Sequence, residues 1–146
     1  MEKENMAIFP SIKGKIAVVT GAGSGIGRAV AILFAKNGAD LFLMSRNEEK
    51  LKETQKMCKN YGVRCLYHST DVTDPIAIKT SFAKCIKTFE RIDILCNVAG
   101  GSLGRKLTSD MTGDEFDEVY KLNLKNVFLC CSETIPAMKN KQYGKL

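Results

Sequence analysis

The sequence predicts an α/β fold, a doubly wound parallel sheet with helices on both faces, from two observations. Apolar runs at Ile16 to Thr20, Leu41 to Met44, Val63 to Tyr67 and Ile92 to Asn97 are short and bounded by Gly, Asp, Asn or Ser, which suits buried strands. The intervals between them carry helical periodicity. Strands that alternate with helices pair in parallel and bury both sheet faces under the helices.

The elements follow in order. After the first strand and a glycine-rich turn, Ile26, Ala29, Val30, Leu33 and Phe34 share one face of a first helix. A second helix is expected from about Asn47 to Asn60. Asp74-Pro75 supplies an N-cap with proline at the first helical position, opening a third helix that runs to about Phe89. Thr112-x-x-Glu115 is a capping-box pattern for a fourth, and "NVFLCCSETIPAMKN" reads as a long fifth. With no repeat and no low-complexity linker, residues 1–146 read as a single domain.

Composition narrows the function. The chain is 45% hydrophobic and 26% charged, the balance of a globular domain that buries roughly two thirds of its unfolded surface. Lys and Arg outnumber Asp and Glu by 22 to 16, but they interleave with acids, as in "RNEEKLKETQK". That pattern is a solvated helix face and argues against nucleic-acid binding, while the positive balance favours an anionic ligand. Cys58, Cys65, Cys85, Cys96, Cys130 and Cys131 show no C-x-x-C spacing and sit mostly in apolar runs. They read as reduced, buried thiols rather than a metal site, which points to a cytoplasmic location. No leader pattern and no apolar window of the ~18 to 20 residues needed for a membrane span occurs, so no membrane partner is expected.

The stretch Thr20 to Gly27, "TGAGSGIG", holds four glycines where the first strand meets the first helix. Clustered glycine is entropically costly unless the backbone needs φ > 0 or must admit a close neighbour. At the N-terminus of a helix, free N–H groups and the positive end of the helix dipole make a ready anion site, so a phosphate is the expected neighbour. The general G-x-G-x-x-G fingerprint does not fit: counting from Gly21, Gly23 or Gly25, the sixth position is Ile26, Arg28 or Val30.

The pattern T-G-x-x-x-G-I-G resembles the nucleotide loop of the short-chain dehydrogenase/reductase family. The resemblance implies a Rossmann-type sheet of strand order 3-2-1-4-5 onward and cofactor contacts from Gly21, Ser24, Gly25, Ile26 and Gly27. Three further motifs resemble the family in order and spacing. Thr70-Asp71-Val72 is similar to the pair that contacts adenine, which implies roles for Asp71 and Val72. Asn97-Val98-Ala99-Gly100 resembles N-N-A-G with Val98 in place of the second Asn; Ala99 and Gly100 would lie close to the cofactor ribose, and Asn97 would brace neighbouring strands. Leu122 to Phe128 resembles the segment that carries the catalytic Asn, here Asn123.

The end of the second strand discriminates between dinucleotides, because an acid there binds a ribose 2′-hydroxyl and an Arg binds a 2′-phosphate. Asp40 begins that strand, some 15 Å from its carboxyl end at about 3.3 Å per residue. Ser45 and Arg46 occupy the carboxyl end, which favours NADP(H) over NAD(H), with Arg28 able to add positive charge.

The resemblance also implies a catalytic Ser and a Tyr-x-x-x-Lys. Tyr61, Tyr67 and Tyr120 are followed four places later by Cys65, Asp71 and Leu124, and Tyr143 precedes "GKL", which resembles the start of a fifth strand. The expectation is therefore a C-terminally truncated cofactor-binding portion, itself inactive, with "IDILCNVAG" at an open sheet edge. His68 is the only histidine and reads as structural or solvent-facing. The expected function is an NADP-linked oxidoreductase that interconverts a small-molecule carbonyl and a secondary alcohol and forms a homo-oligomer. The alternative is a non-catalytic dinucleotide-binding or regulatory module. A methyltransferase of similar fold is disfavoured by Ser45-Arg46 where an acid is required.

Overall fold

The computed structural model describes residues 12–102 and 104–146. Four strands, β1 (Ile16–Thr20), β2 (Asp40–Ser45), β3 (Cys65–Ser69) and β4 (Ile94–Cys96), form one sheet in the order β3-β2-β1-β4, every pair parallel. Five α-helices connect or follow them: α1 (Gly25–Lys36), α2 (Glu48–Lys59), α3 (Pro75–Phe89), α4 (Gly113–Tyr120) and α5 (Asn126–Asn140). A 3-10 turn at Thr108–Asp110 precedes α4, and a π-helical turn, Lys121–Lys125, joins α4 to α5.

Strand side chains alternate between two cores, as a pleated sheet requires. Ile16, Val18, Phe42 and Met44 pack with Ile78 and Phe82 of α3 and with Cys130 and Met138 of α5. Ala17, Val19, Leu41 and Leu43 pack on the other face with Ala31 and Ala35 of α1 and with Leu51 and Cys58 of α2. Burial on both faces is why β1 and the centre of β2 are apolar at every position from Ile16 to Val19 and Leu41 to Met44. The doubly wound α/β fold is confirmed.

Local signals place the helix starts. Asn47 Oδ1 accepts from Lys50 N at 2.9 Å, and Asp74 Oδ1 accepts from Ile76 N at 2.8 Å. Thr112 and Glu115 form the capping box, and the Lys106 ammonium beside Glu115 helps push its carboxyl down to about 2. β2 is one residue longer at each end than the sequence reading, and β3 and β4 differ from it by up to two residues at an end. β3 begins and ends two residues later than expected, because His68 and Ser69 pair with Met44 and Ser45 along an edge strand that tolerates polar residues. β4 is shorter than expected. Asp93, fully buried, is used instead to accept from Ile16 N at 2.9 Å and from the Arg91 guanidinium. The open edge beyond β4 is also corrected in part: Lys145 accepts from Leu95 N at 2.9 Å and donates to Asp93 O at 3.0 Å, a parallel bridge made by "GKL" itself.

Candidate cofactor site

The carboxyl ends of β1 and β2 and the turns that follow β3 and β4 surround a cleft of about 350 Å³. Its floor is the turn between β1 and α1. Gly21 has φ +67°, and a Cβ there would stand 2.9 Å from Ala99 N, so only glycine lets the turn pass under the β4 segment. Gly27 is needed for a different reason: a Cβ on it would lie 2.2 Å from Gly21 O, and its absence seats α1 directly on the turn. Gly21, Ser24, Ile26 and Gly27 line the cleft.

The start of α1 is unlike those of α2, α3 and α4. Ser24 occupies the N-cap with no side-chain cap hydrogen bond, whereas Asn47, Asp74 and Thr112 cap their own helices. No acidic residue stands in the first turn of α1. Its first N–H groups and the positive end of its dipole therefore meet no capping side chain or acid of the first turn.

Arg28 does not supply the free charge expected of it. Its guanidinium bonds Gly23 O at 2.7 Å, Thr54 Oγ1 at 3.0 Å and Glu53 Oε2 at 2.8 Å. Those partners stitch the turn to α2, and the charge is spent on structure. Ser45 and Arg46 do line the cleft, at the carboxyl end of β2. The Arg46 side chain is exposed and makes no hydrogen bond or salt bridge among the described residues. Asp40 lies at the other end of the strand, paired with Arg64 at 2.7 Å.

Beyond β3, Thr70 and Val72 line the cleft, but Asp71 is not among the lining residues. The Asp71 carboxylate accepts from Thr73 N at 2.9 Å and Thr73 Oγ1 at 2.7 Å. These bonds, with the Arg46 charge nearby, hold its carboxyl below the usual range. His68 Nδ1 is 2.8 Å from Ser81 Oγ, which is 2.7 Å from Thr70 Oγ1, so the histidine braces the cleft from behind. Burial and Lys84 push its pKa down.

Beyond β4, Val98, Ala99 and Gly100 form the remaining wall, with Leu122. Asn97 turns away, its amide 3.7 Å from Cys131 Sγ. Asn123, in the π-helical turn, accepts from Gly101 N at 2.9 Å and donates to Gly101 O at 2.8 Å. Two contributors were not assigned a contact from the sequence. Thr20 Oγ1 accepts from the N–H groups of Val98 and Ala99 at 3.0 and 3.1 Å; its only signal was its place as the first letter of the glycine motif. Asn126 donates to Ala99 O at 3.2 Å; the Leu122–Phe128 motif contained it but singled out only Asn123.

A glycine turn under an uncapped helix, at the carboxyl ends of parallel strands, accords with a match to the short chain dehydrogenase family model over residues 15–146. The chain belongs to that family. General stress protein 39 of Bacillus subtilis is 34% identical over 139 residues, which are 94% of this chain and 49% of that protein. An uncharacterized oxidoreductase of Staphylococcus aureus (strain MW2) is 37% identical over 132 residues, covering 90% of this chain and 56% of its own. The chain thus spans about half the length of the curated relatives it matches. Among solved structures, NAD+-bound xylitol dehydrogenase superposes with a TM-score of 0.87 at 29% identity, over 91% of this chain and 51% of that one. A metagenomic short-chain oxidoreductase in complex with NADP gives 0.86 at 31% identity, over 92% and 61%. One of these two solved structures holds NAD+ and the other NADP.

Proposed function

We propose that the cleft holds a nicotinamide dinucleotide, with NADP(H) favoured over NAD(H), as the cofactor-binding portion of an oxidoreductase that interconverts a carbonyl and a secondary alcohol. The observation that carries this reading is the end of β2. Ser45 stands where an acid would bind a 2′-hydroxyl, and next to it the unpaired Arg46 guanidinium is available for a 2′-phosphate. Ser24, Gly25 and Ile26 at the uncapped α1 N-terminus would hold the pyrophosphate. Val72 would flank the adenine, and Ala99 and Gly100 would admit the second ribose, whereas the Asp71 carboxylate is taken up by Thr73 and acts only by fixing the turn beside them.

The bound nicotinamide supplies hydride exchange with the substrate carbon. Asn123 fixes the backbone beside it; with both ends of its amide bonded to Gly101, the side chain itself moves no proton. No Tyr-x-x-x-Lys occurs in these 146 residues, so on their own they turn over no carbonyl substrate. Phe116, Tyr120, Leu124 and Phe128 recur every fourth residue and are 59%, 44%, 59% and 69% exposed, a stripe suited to a second copy of the chain. None of the described helices is long and apolar enough to cross a membrane, and six free thiols suit a reducing cytoplasm.

The test is a specificity switch. The unmodified chain binds NADPH about tenfold or more tightly than NADH, as expected for one charged hydrogen-bonded pair, and Ser45→Asp with Arg46→Ala reverses the order. Superimposable titrations with the two nucleotides reject the assignment.

A further inference from the structure

The wall of the cleft beyond β4 is suspended by three side chains from three elements. Thr20 holds the N–H groups of Val98 and Ala99, and Asn123 holds both peptide groups of Gly101. The third is Asn126, the first residue of α5 and only 3% exposed. Its Nδ2 donates to Ala99 O and to Leu122 O. Ala99 is thereby gripped at its N–H by β1 and at its carbonyl by α5. Gly100 has no hydrogen bond among the described residues, and a Cβ on it would meet Asn123 Oδ1 at 2.7 Å.

The partners fix the orientation of the Asn126 amide: both are carbonyl oxygens, so the nitrogen must face them. Oδ1 is then buried with no hydrogen-bond partner among the described residues. An unpaired buried amide oxygen is destabilising, and a leucine of similar volume would avoid it. Helix capping gives no reason for Asn126 either, since α5 continues from the π-helical turn without a cap bond. What asparagine does at this position that leucine does not is hold the Ala99 carbonyl.

We infer that Asn126 is a positioning residue for the cofactor, setting through Ala99 the wall against which its nicotinamide half lies. The inference rests on the cofactor reading above. Strand order assigns the half: Arg46 follows β2, the pyrophosphate turn follows β1, and Ala99 follows β4 on the far side of β1. A dinucleotide with its 2′-phosphate at Arg46 and its pyrophosphate at α1 extends its second nucleoside over the end of β4.

Two ligands separate the halves. NADPH reaches both walls, whereas adenosine 2′,5′-bisphosphate reaches only the β2 side. Asn126→Leu removes both donors of the amide. Asn126→Ser keeps a hydroxyl for Leu122 O one turn back but is too short for Ala99, and it serves if the leucine variant fails to fold. In either variant NADPH affinity falls about three- to tenfold, the worth of one hydrogen bond, while adenosine 2′,5′-bisphosphate stays within about twofold. Amide exchange at 99–101 rises in the same variants without ligand. Equal losses for both ligands, or unchanged NADPH affinity in a folded variant, overturn the inference and leave the cofactor reading standing. An unmodified chain that binds neither ligand overturns both.

Discussion

The region around β1, α1 and α2 and the region from α4 through the start of α5 satisfy themselves in opposite ways. In the first, polar groups find partners within the chain: Thr54, fully buried, bonds Ala22 O at 3.0 Å, and Arg28 ties the glycine turn to α2 through three bonds of 3.0 Å or less. In the second, neither α4 nor the π-helical turn buries a single residue, and Phe116, Tyr120, Leu124 and Phe128 face outward. The lesson is that the cleft is fixed from the β1 side, while the other wall depends on a few hydrogen bonds and carries an exposed apolar outer face.

The largest effect is expected at Gly27. Gly27→Ala puts a Cβ 2.2 Å from Gly21 O, against backbone that cannot yield, and the expected loss is about 3 kcal/mol or more of stability in urea unfolding. Gly25→Val is milder: no atom lies within 4 Å of the added Cβ, and the strain at φ +53° costs about 1 to 2 kcal/mol. Similar midpoints for the two would contradict the packing role of Gly27.

Arg28→Ala comes next. Loss of its bonds to Gly23, Thr54 and Glu53 lowers stability by about 1 to 3 kcal/mol, and Arg28→Lys fails to restore it because an ammonium lacks the guanidinium fork. Full rescue by lysine would mean that the charge alone matters.

A smaller effect is expected from His68. Burial and Lys84 lower its folded pKa below the ordinary 6.5, so the folded state prefers the neutral ring. The contribution is fully present above about pH 6.5 and is lost as pH falls through that value toward the lowered folded pKa. His68→Asn therefore flattens the decline in melting temperature between about pH 7 and 5, and parallel curves for the two proteins contradict this.

The smallest change in stability is expected on the exposed stripe. Phe128→Ser shifts unfolding by no more than about 0.5 kcal/mol yet lowers the concentration-dependent light scattering of the chain. A large stability loss with unchanged scattering would place Phe128 in a core of its own chain.

The legibility of the sequence divides along the same line. Asn47, Asp74-Pro75 and the Thr112–Glu115 box announced three helix starts, because a cap is satisfied within about three residues of itself. The glycine turn was legible for a related reason: a left-handed φ at Gly21 leaves a local mark on the sequence. Arg46 followed from strand register. Arg28 was misread because its side-chain partners, Thr54 and Glu53, lie more than twenty residues away on α2. Asn126 lies within the Leu122–Phe128 segment but was assigned no task, because only the tertiary approach of Ala99 gives it one. The π-helical turn at 121–125 has no local signature at all.

The proposed dinucleotide site stands or falls with the uncapped α1 N-terminus and its glycine turn. Titration of the unmodified chain with NADPH, followed by cofactor fluorescence and repeated with Gly25→Val, tests it most directly. Saturable one-to-one binding by the unmodified chain is expected, with loss of that binding in the variant at an unchanged far-UV circular dichroism spectrum. No saturable binding to the unmodified chain, or equal binding by the folded variant, would contradict it.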